Sequence, residues 1–247
     1  MRPSGIIEIS NLSKAFDGTA VLDEIDLRLN QGENLVVLGK SGAGKTVLLK
    51  CMVGLLKPDS GTVRIFDRDV VNCTITGLDE VRTRIGYVFQ QGALYDSISL
   101  RENMYFPLLR NTMHCNTPVQ EMEQRVEINL RSVGLLDAID KMPAELSGGM
   151  KKRAGLARAL MLKPEIMLYD EPTAGLDPIT AKEISELIVT IQHEHGTASV
   201  IVTHDMKCAE TVSDRICLLN NGKFIAEGDY RTLRTYQDPQ ISMFFTP

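Results

Sequence analysis

Gly39-Lys40-Ser41-Gly42-Ala43-Gly44-Lys45-Thr46 joins a short apolar run, residues 34–38, to a longer one, residues 45–56. The run has the spacing GxxxxGK[ST]. In that motif glycines let backbone N–H groups turn inward on phosphate, and a helix N-terminus adds partial positive charge. Lys45 would then neutralise the β- and γ-phosphates, and Thr46 would ligate Mg²⁺. Further on, Ile166-Met167-Leu168-Tyr169-Asp170-Glu171 reads as an apolar strand ending in two carboxylates. Side chains alternate along a strand, so Asp170 and Glu171 should do different work. Phosphoryl transfer would use Asp170 to hold Mg²⁺ through its water shell and Glu171 to orient and polarise the attacking water. A plainer reading makes the pair a helix cap and a surface acid ahead of Pro172.

A second glycine-rich helix start, Leu146-Ser147-Gly148-Gly149-Met150, lies between these two motifs. Ser147 fits an ordinary N-cap. It also fits an anion site in which its hydroxyl and the N–H groups of Gly148 and Gly149 meet a γ-phosphate. Lys151, Lys152 and Arg153 oppose the helix dipole at that end, a mismatch that nearby phosphate would relieve. Two phosphate grips on one chain suggest that two chains share each nucleotide. Gln90 follows an apolar strand, where its amide could sense Mg²⁺. His204 follows the strand at residues 199–203, at the carboxyl edge where open sheets bind ligands, although a lone histidine is more often structural.

These residues need a frame that brings distant loops together. Residues 6–12 and 21–29 read as a hairpin closed at Asp17-Gly18. Residues 34–38, buried on both faces, lead into the glycine loop, and a helix is expected over 45–56. Strands are expected at 62–66 and 85–89, then at 166–169, 199–203, 215–219 and 224–227. Helices are expected near 180–193 and 207–212. This alternation argues an α/β fold with a mainly parallel sheet covered on both faces. Residues 90–164 change to a helical pattern, including 117–133 with Pro118 in its first turn, and read as a helical subdomain inserted in the core. Residues 1–89 and 165–247 would form that core within one domain spanning 1–247.

At 247 residues the chain can bury a sizeable core. Its net charge of −5 lacks the basic excess that nucleic-acid binding requires, so nucleic acid is not an expected partner. No stretch reaches the roughly 18 apolar residues of a membrane span, and residues 1–10 are too short for a signal peptide. The five cysteines, Cys51, Cys73, Cys115, Cys208 and Cys217, form no CxxC pair and are expected to be reduced thiols of a cytoplasmic protein.

Taken in order, these motifs resemble the nucleotide-binding domain of ABC transporters over nearly the whole chain. The resemblance implies a P-loop NTPase core with an N-terminal antiparallel β portion and an inserted α-helical subdomain. It implies that Gly39 to Thr46 is the Walker A loop, Gln90 the Q-loop, Ser147, Gly148 and Gly149 the signature acting in trans, and Asp170 and Glu171 the Walker B pair. On the same basis Asp177 of Ala174-Gly175-Leu176-Asp177 stands in the D-loop and His204 is the switch histidine. Phe16 takes the place of an aromatic that stacks on adenine, commonly tyrosine, and Met150 that of a glutamine. ATP and Mg²⁺ are the implied ligands, with Thr46, Gln90 and Asp170 around the metal and Glu171 and His204 catalytic. The implied partners are a second copy of the chain, paired head to tail, and an integral membrane permease docked near the Q-loop.

A narrower likeness joins Gly44 to Lys50, Gln91 to Ser97, Glu102-Asn103, Phe106-Pro107-Leu108, Leu146 to Met150 and the tail from Asp238 to Phe245. These segments resemble the ATPases of Mla and Mce lipid transporters. This implies movement of phospholipid or another lipid through the cell envelope, from the cytoplasmic side of the inner membrane. It also implies a small regulatory subunit and an envelope lipid-binding protein as further partners. The alternatives are a transporter ATPase for another substrate, or a soluble ABC-type ATPase that needs no permease.

Overall fold

The structure, a computed structural model, describes residues 5–111 and 117–245. Cys115 and part of the 90–164 segment lie outside the described residues. The chain opens with β1 (Ile7–Phe16) and β2 (Thr19–Leu29), then β3 (Asn34–Gly39) and α1 (Lys45–Met52). Next come β4 (Ser60–Ile65), β5 (Arg68–Asp69), α2 (Ile75–Thr83) and β6 (Ile85–Val88). Helices α3 (Leu100–Arg110), α4 (Val119–Ser132) and α5 (Gly148–Leu160) follow. Then β7 (Ile166–Asp170), α6 (Pro178–His195), β8 (Ala198–Thr203) and α7 (Met206–Val212) alternate. Strands β9 (Arg215–Asn220) and β10 (Lys223–Gly228) and helices α8 (Tyr230–Arg234) and α9 (Pro239–Phe245) end the described chain.

Two sheets result. A four-stranded antiparallel sheet has the order β2-β1-β4-β5, and a six-stranded sheet has the order β10-β9-β3-β8-β7-β6. In the larger sheet β6, β7, β8, β3 and β9 run parallel, and β10 returns antiparallel on β9. The expected hairpin is present: Asp17 and Gly18 hold φ of 49° and 78°, the double left-handed turn that matches strand twist. Strand β3 is buried at every position and sends alternate side chains to opposite faces. Val36 and Leu38 pack with Tyr169, Ile201 and helices α3 to α7, whereas Leu35 and Val37 pack with α1 and the small sheet. Each fully buried side chain of this kind contributes about 1.5–3 kcal/mol relative to exposure, so the central strands anchor both layers.

Several boundaries differ from the sequence expectation. Helix α1 stops at Met52 because Gly54 turns left-handed at φ 64° and the N–H groups of Leu55 and Leu56 return to Lys50 O. Helix α2 was not expected; it is short and polar, buries Gly77 and Val81, and is capped by Thr74 through Gly77 N at 3.2 Å. Strand β5 and helices α8 and α9 were likewise missed. Pro118 stands at the N-cap of α4. Between β6 and β7 the described residues hold helices and no strand. Cys51, Cys208 and Cys217 are buried free thiols, pushed up by burial to about 11, 11 and 12 respectively. Among the described residues no helix is long and apolar enough to cross a membrane.

Candidate active site

Parallel pairing is what assembles the site. Because β6, β7, β8 and β3 are consecutive neighbours pointing the same way, the loops that leave them emerge side by side at one sheet edge. The glycine loop follows β3, Asp170 ends β7, Gln90 lies two residues beyond β6, and His204 follows β8 directly.

The glycine loop turns onto α1 at Gly44, whose φ of 101° is hostile to side chains and whose added Cβ would lie 2.8 Å from Val21 O. No side chain caps α1, so the N–H groups of its first turn are left for an anion. Lys45 is only 5 % exposed. Its ammonium donates to Gly39 O at 2.7 Å and Lys40 O at 2.9 Å and pairs with Glu171 Oε1 at 3.0 Å. Three oxygens thus occupy the three donors of the ammonium, and a phosphate arriving there must displace one of them.

Thr46 Oγ1 donates to Asp170 Oδ1 at 2.9 Å across 124 positions of sequence. Burial raises Asp170 above the usual carboxylate value, the Thr46 hydroxyl opposing and the Glu171 charge adding to the rise. Tyr87, which sequence reasoning missed, sets its hydroxyl 3.5 Å from Asp170 Oδ2. Burial, reinforced by Asp170, pushes the Tyr87 phenol well above its ordinary value, so it stays a neutral donor. A hydroxyl beside a buried carboxylate suits Mg²⁺, which takes one or two carboxylates with waters and substrate phosphates. The Gln90 side chain is exposed at the same edge.

Glu171 lies one residue past β7. Its N–H still reaches Val202 O at 2.9 Å, as if continuing the ladder, but its φ of 49° turns the chain out of the strand. That turn breaks the alternation expected for Asp170 and Glu171, and both carboxylates meet residues of the glycine loop. Their partners differ: Asp170 bonds Thr46, while Glu171 spans Lys45 and His204. Glu171 Oε2 lies 2.7 Å from His204 Nδ1 and accepts the His204 backbone N–H at 3.3 Å. Glu171 is 8 % exposed, whereas the His204 side chain is exposed and free to meet a ligand.

Ser147 caps α5, its hydroxyl accepting Met150 N at 3.3 Å, and it is exposed together with Gly148. Three of the basic residues of α5 have partners within the chain. Lys152 donates to the backbone oxygens of Gln90 and Glu171, and Arg153 reaches Glu183 and Val133 O. Arg158 reaches Gly92 O and Ala93 O. Carbonyls and a carboxylate of the same chain meet Lys152, Arg153 and Arg158. The inward turn of Lys152 was illegible in a run of three cations; only its spacing from Gly155 and Arg158 hinted at a common buried face. Asp177 caps α6 through Ile179 N at 3.0 Å and Thr180 N at 3.1 Å, and its bonds to Thr180 hold its carboxyl below the usual range. Phe16 is exposed at the tip of the β1–β2 hairpin, 5.4 Å from Lys14 Nζ, on the sheet whose Val21 borders Gly44.

Residues 22–174 match the family model described as ABC transporter. The probable ribonucleotide transport ATP-binding protein mkl of Mycobacterium leprae is 39% identical over 243 residues, 98% of this chain and 69% of that protein. The intermembrane phospholipid transport system ATP-binding protein MlaF of Haemophilus influenzae is 36% identical over 239 residues, 97% of this chain and 89% of that protein. Among solved structures, the dimeric post-hydrolysis ATP-binding cassette MJ0796 bound to ADP and Pi is similar, with a TM-score of 0.82 and 30% identity. The alignment covers 90% of this chain and 98% of that one.

Proposed function

The chain belongs to the ABC transporter family as an ATP-binding, ATP-hydrolysing subunit, and from that premise we propose that two copies hold ATP between them. Each ATP lies between the Gly39–Thr46 loop of one copy and the Ser147-Gly148-Gly149 turn of its twin. The observation that carries this reading is that the chain offers two separate helix starts, α1, which no side chain caps, and the exposed Ser147-Gly148 turn of α5. The double engagement of Glu171, with Lys45 on one oxygen and His204 on the other, supports hydrolysis.

Hydrolysis then follows from exchanges at that edge. The phosphates take over Lys45 and the free N–H groups of α1. Glu171, released from Lys45, orients a water and accepts its proton as the new bond to the γ-phosphorus forms and the bond to the ADP oxygen breaks. His204 steadies Glu171 and reaches the γ-phosphate. Thr46, Asp170 and Gln90 would hold Mg²⁺, which would neutralise phosphate charge when bound. Phe16 stacks on adenine, and Asp177 meets the twin at the shared interface. Residues 90–164 act as a helical subdomain that moves against the core formed by 1–89 and 165–247.

The cargo is proposed to be phospholipid or another lipid, driven through a membrane permease against which the chain sits peripherally on the cytoplasmic face of the inner membrane. The likeness to MlaF over 89% of that protein's length supports a lipid, while mkl carries a ribonucleotide in its name. A small regulatory subunit and an envelope lipid-binding protein complete the proposed assembly. Extraction of the native complex in mild detergent tests it. Recovery of a multi-span membrane protein, with ATP turnover that rises on adding phospholipid, is the expected result. A chain that emerges alone overturns the permease, and turnover indifferent to lipid overturns the cargo.

A further inference from the structure

One face of α5 is fastened to the segment that follows β6. Lys152, 7 % exposed, sends its ammonium to the carbonyl of Gln90 and, at 3.1 Å, to the carbonyl of Glu171. One turn on, Gly155 packs so closely that an added Cβ would lie 3.0 Å from Gly92 O. A further turn on, Arg158 donates to Ala93 O at 2.7 Å and to Gly92 O at 3.2 Å. Lys152, Gly155 and Arg158 recur every third residue, which places them on one side of the helix. An ammonium this deeply buried is tolerated where oxygens accept its protons, and both of its acceptors lie beside the proposed catalytic edge. Glu171 O belongs to the residue whose left-handed turn aims the carboxylate, so holding that carbonyl holds the turn.

We propose that Lys152 is a positioning residue for hydrolysis. It ties the helix presenting Ser147 to the backbones of Glu171 and Gln90, so a shift of the helical subdomain that carries the grip offered to the twin's nucleotide is transmitted to the water-orienting carboxylate for the chain's own nucleotide. This links the two sites of the proposed dimer through a single helix, and it rests on the shared-nucleotide reading above.

Steady-state and single-turnover hydrolysis by the full-length chain test the link, with ATP titration and thermal melting alongside. Lys152→Met is expected to lower kcat by about 10- to 100-fold while ATP affinity stays within about twofold. Lys152→Arg, which can still donate to both carbonyls, should recover most of the lost rate. Because residues that act as a unit are not additive, Lys152→Met combined with Glu171→Gln should be no slower than Glu171→Gln alone. Gly155→Ala, which pushes the Gly92 segment off α5, should reproduce the kcat loss and serves if Lys152→Met does not fold. Parent-like kcat in Lys152→Met or Gly155→Ala, or losses that multiply with Glu171→Gln, overturn the proposal. Parent-like turnover in Glu171→Gln alone instead removes the water-orienting role and the proposal with it.

Discussion

Lys45 Nζ lies 3.0 Å from Glu171 Oε1, so the cation that would face the phosphates and the carboxylate that would orient water neutralise each other. Both side chains are nearly buried, 5 % and 10 % exposed, and the pair is therefore screened less than a surface one. A phosphate that takes the place of Glu171 on Lys45 would couple its binding to release of the carboxylate.

Glu171→Gln removes the competing charge and the proton acceptor together. Hydrolysis should fall by about 10²- to 10⁴-fold, while ATP binds at least as tightly as to the parent. Turnover assays paired with ATP titration check both halves, and parent-like turnover contradicts the role of Glu171.

Lys45→Ala removes the point charge facing the phosphates and leaves Gly39 O, Lys40 O and Glu171 without their shared partner. A charge-assisted bond of this kind is worth about 1.5–3 kcal/mol, so ATP affinity should drop by about 10- to 100-fold. Isothermal titration reads it directly; unchanged affinity sinks the assignment.

Ser147→Arg should abolish trapping of nucleotide in homodimers, and so should Lys45→Ala. If Ser147 serves the twin's site, mixing the two variants builds one intact site per dimer, because intact Lys45 and intact Ser147 then face each other. Trapped nucleotide should reappear at about one per mixed dimer, whereas a cis-acting Ser147 leaves none.

At the opposite edge of the sheet, Arg215 on β9 clamps Glu33 through contacts of 2.6 and 3.1 Å across 182 positions. Burial pushes Glu33 upward, but the Arg215 guanidinium and Asn30 outweigh it and hold the carboxyl below its ordinary value of 4.5. The folded value lies below the unfolded one, so this stabilisation is complete above the ordinary value and is lost as pH falls through the folded value. Glu33→Gln should cost about 1–3 kcal/mol near neutral pH, and the difference from the parent should shrink on acidification. Urea unfolding at neutral and acidic pH measures it; an equal difference at both rules the clamp out.

The glycine spacing around Lys45, the strand that ends in Asp170 and the helix start at Ser147 were legible in the residue order, because each is a local device set by backbone freedom, alternation and capping. The hairpin at Asp17-Gly18 and the alternation of helices with buried strands were legible for the same reason. Partnership was not. The resemblance puts Thr46 and Asp170 around one metal, but that Glu171 leaves its strand to span Lys45 and His204, and that Lys152 turns inward, depend on strand order and on which helix face is covered. Those are non-local choices, made when the parallel sheet closes and the apolar faces find each other, and no run of neighbouring residues encodes them.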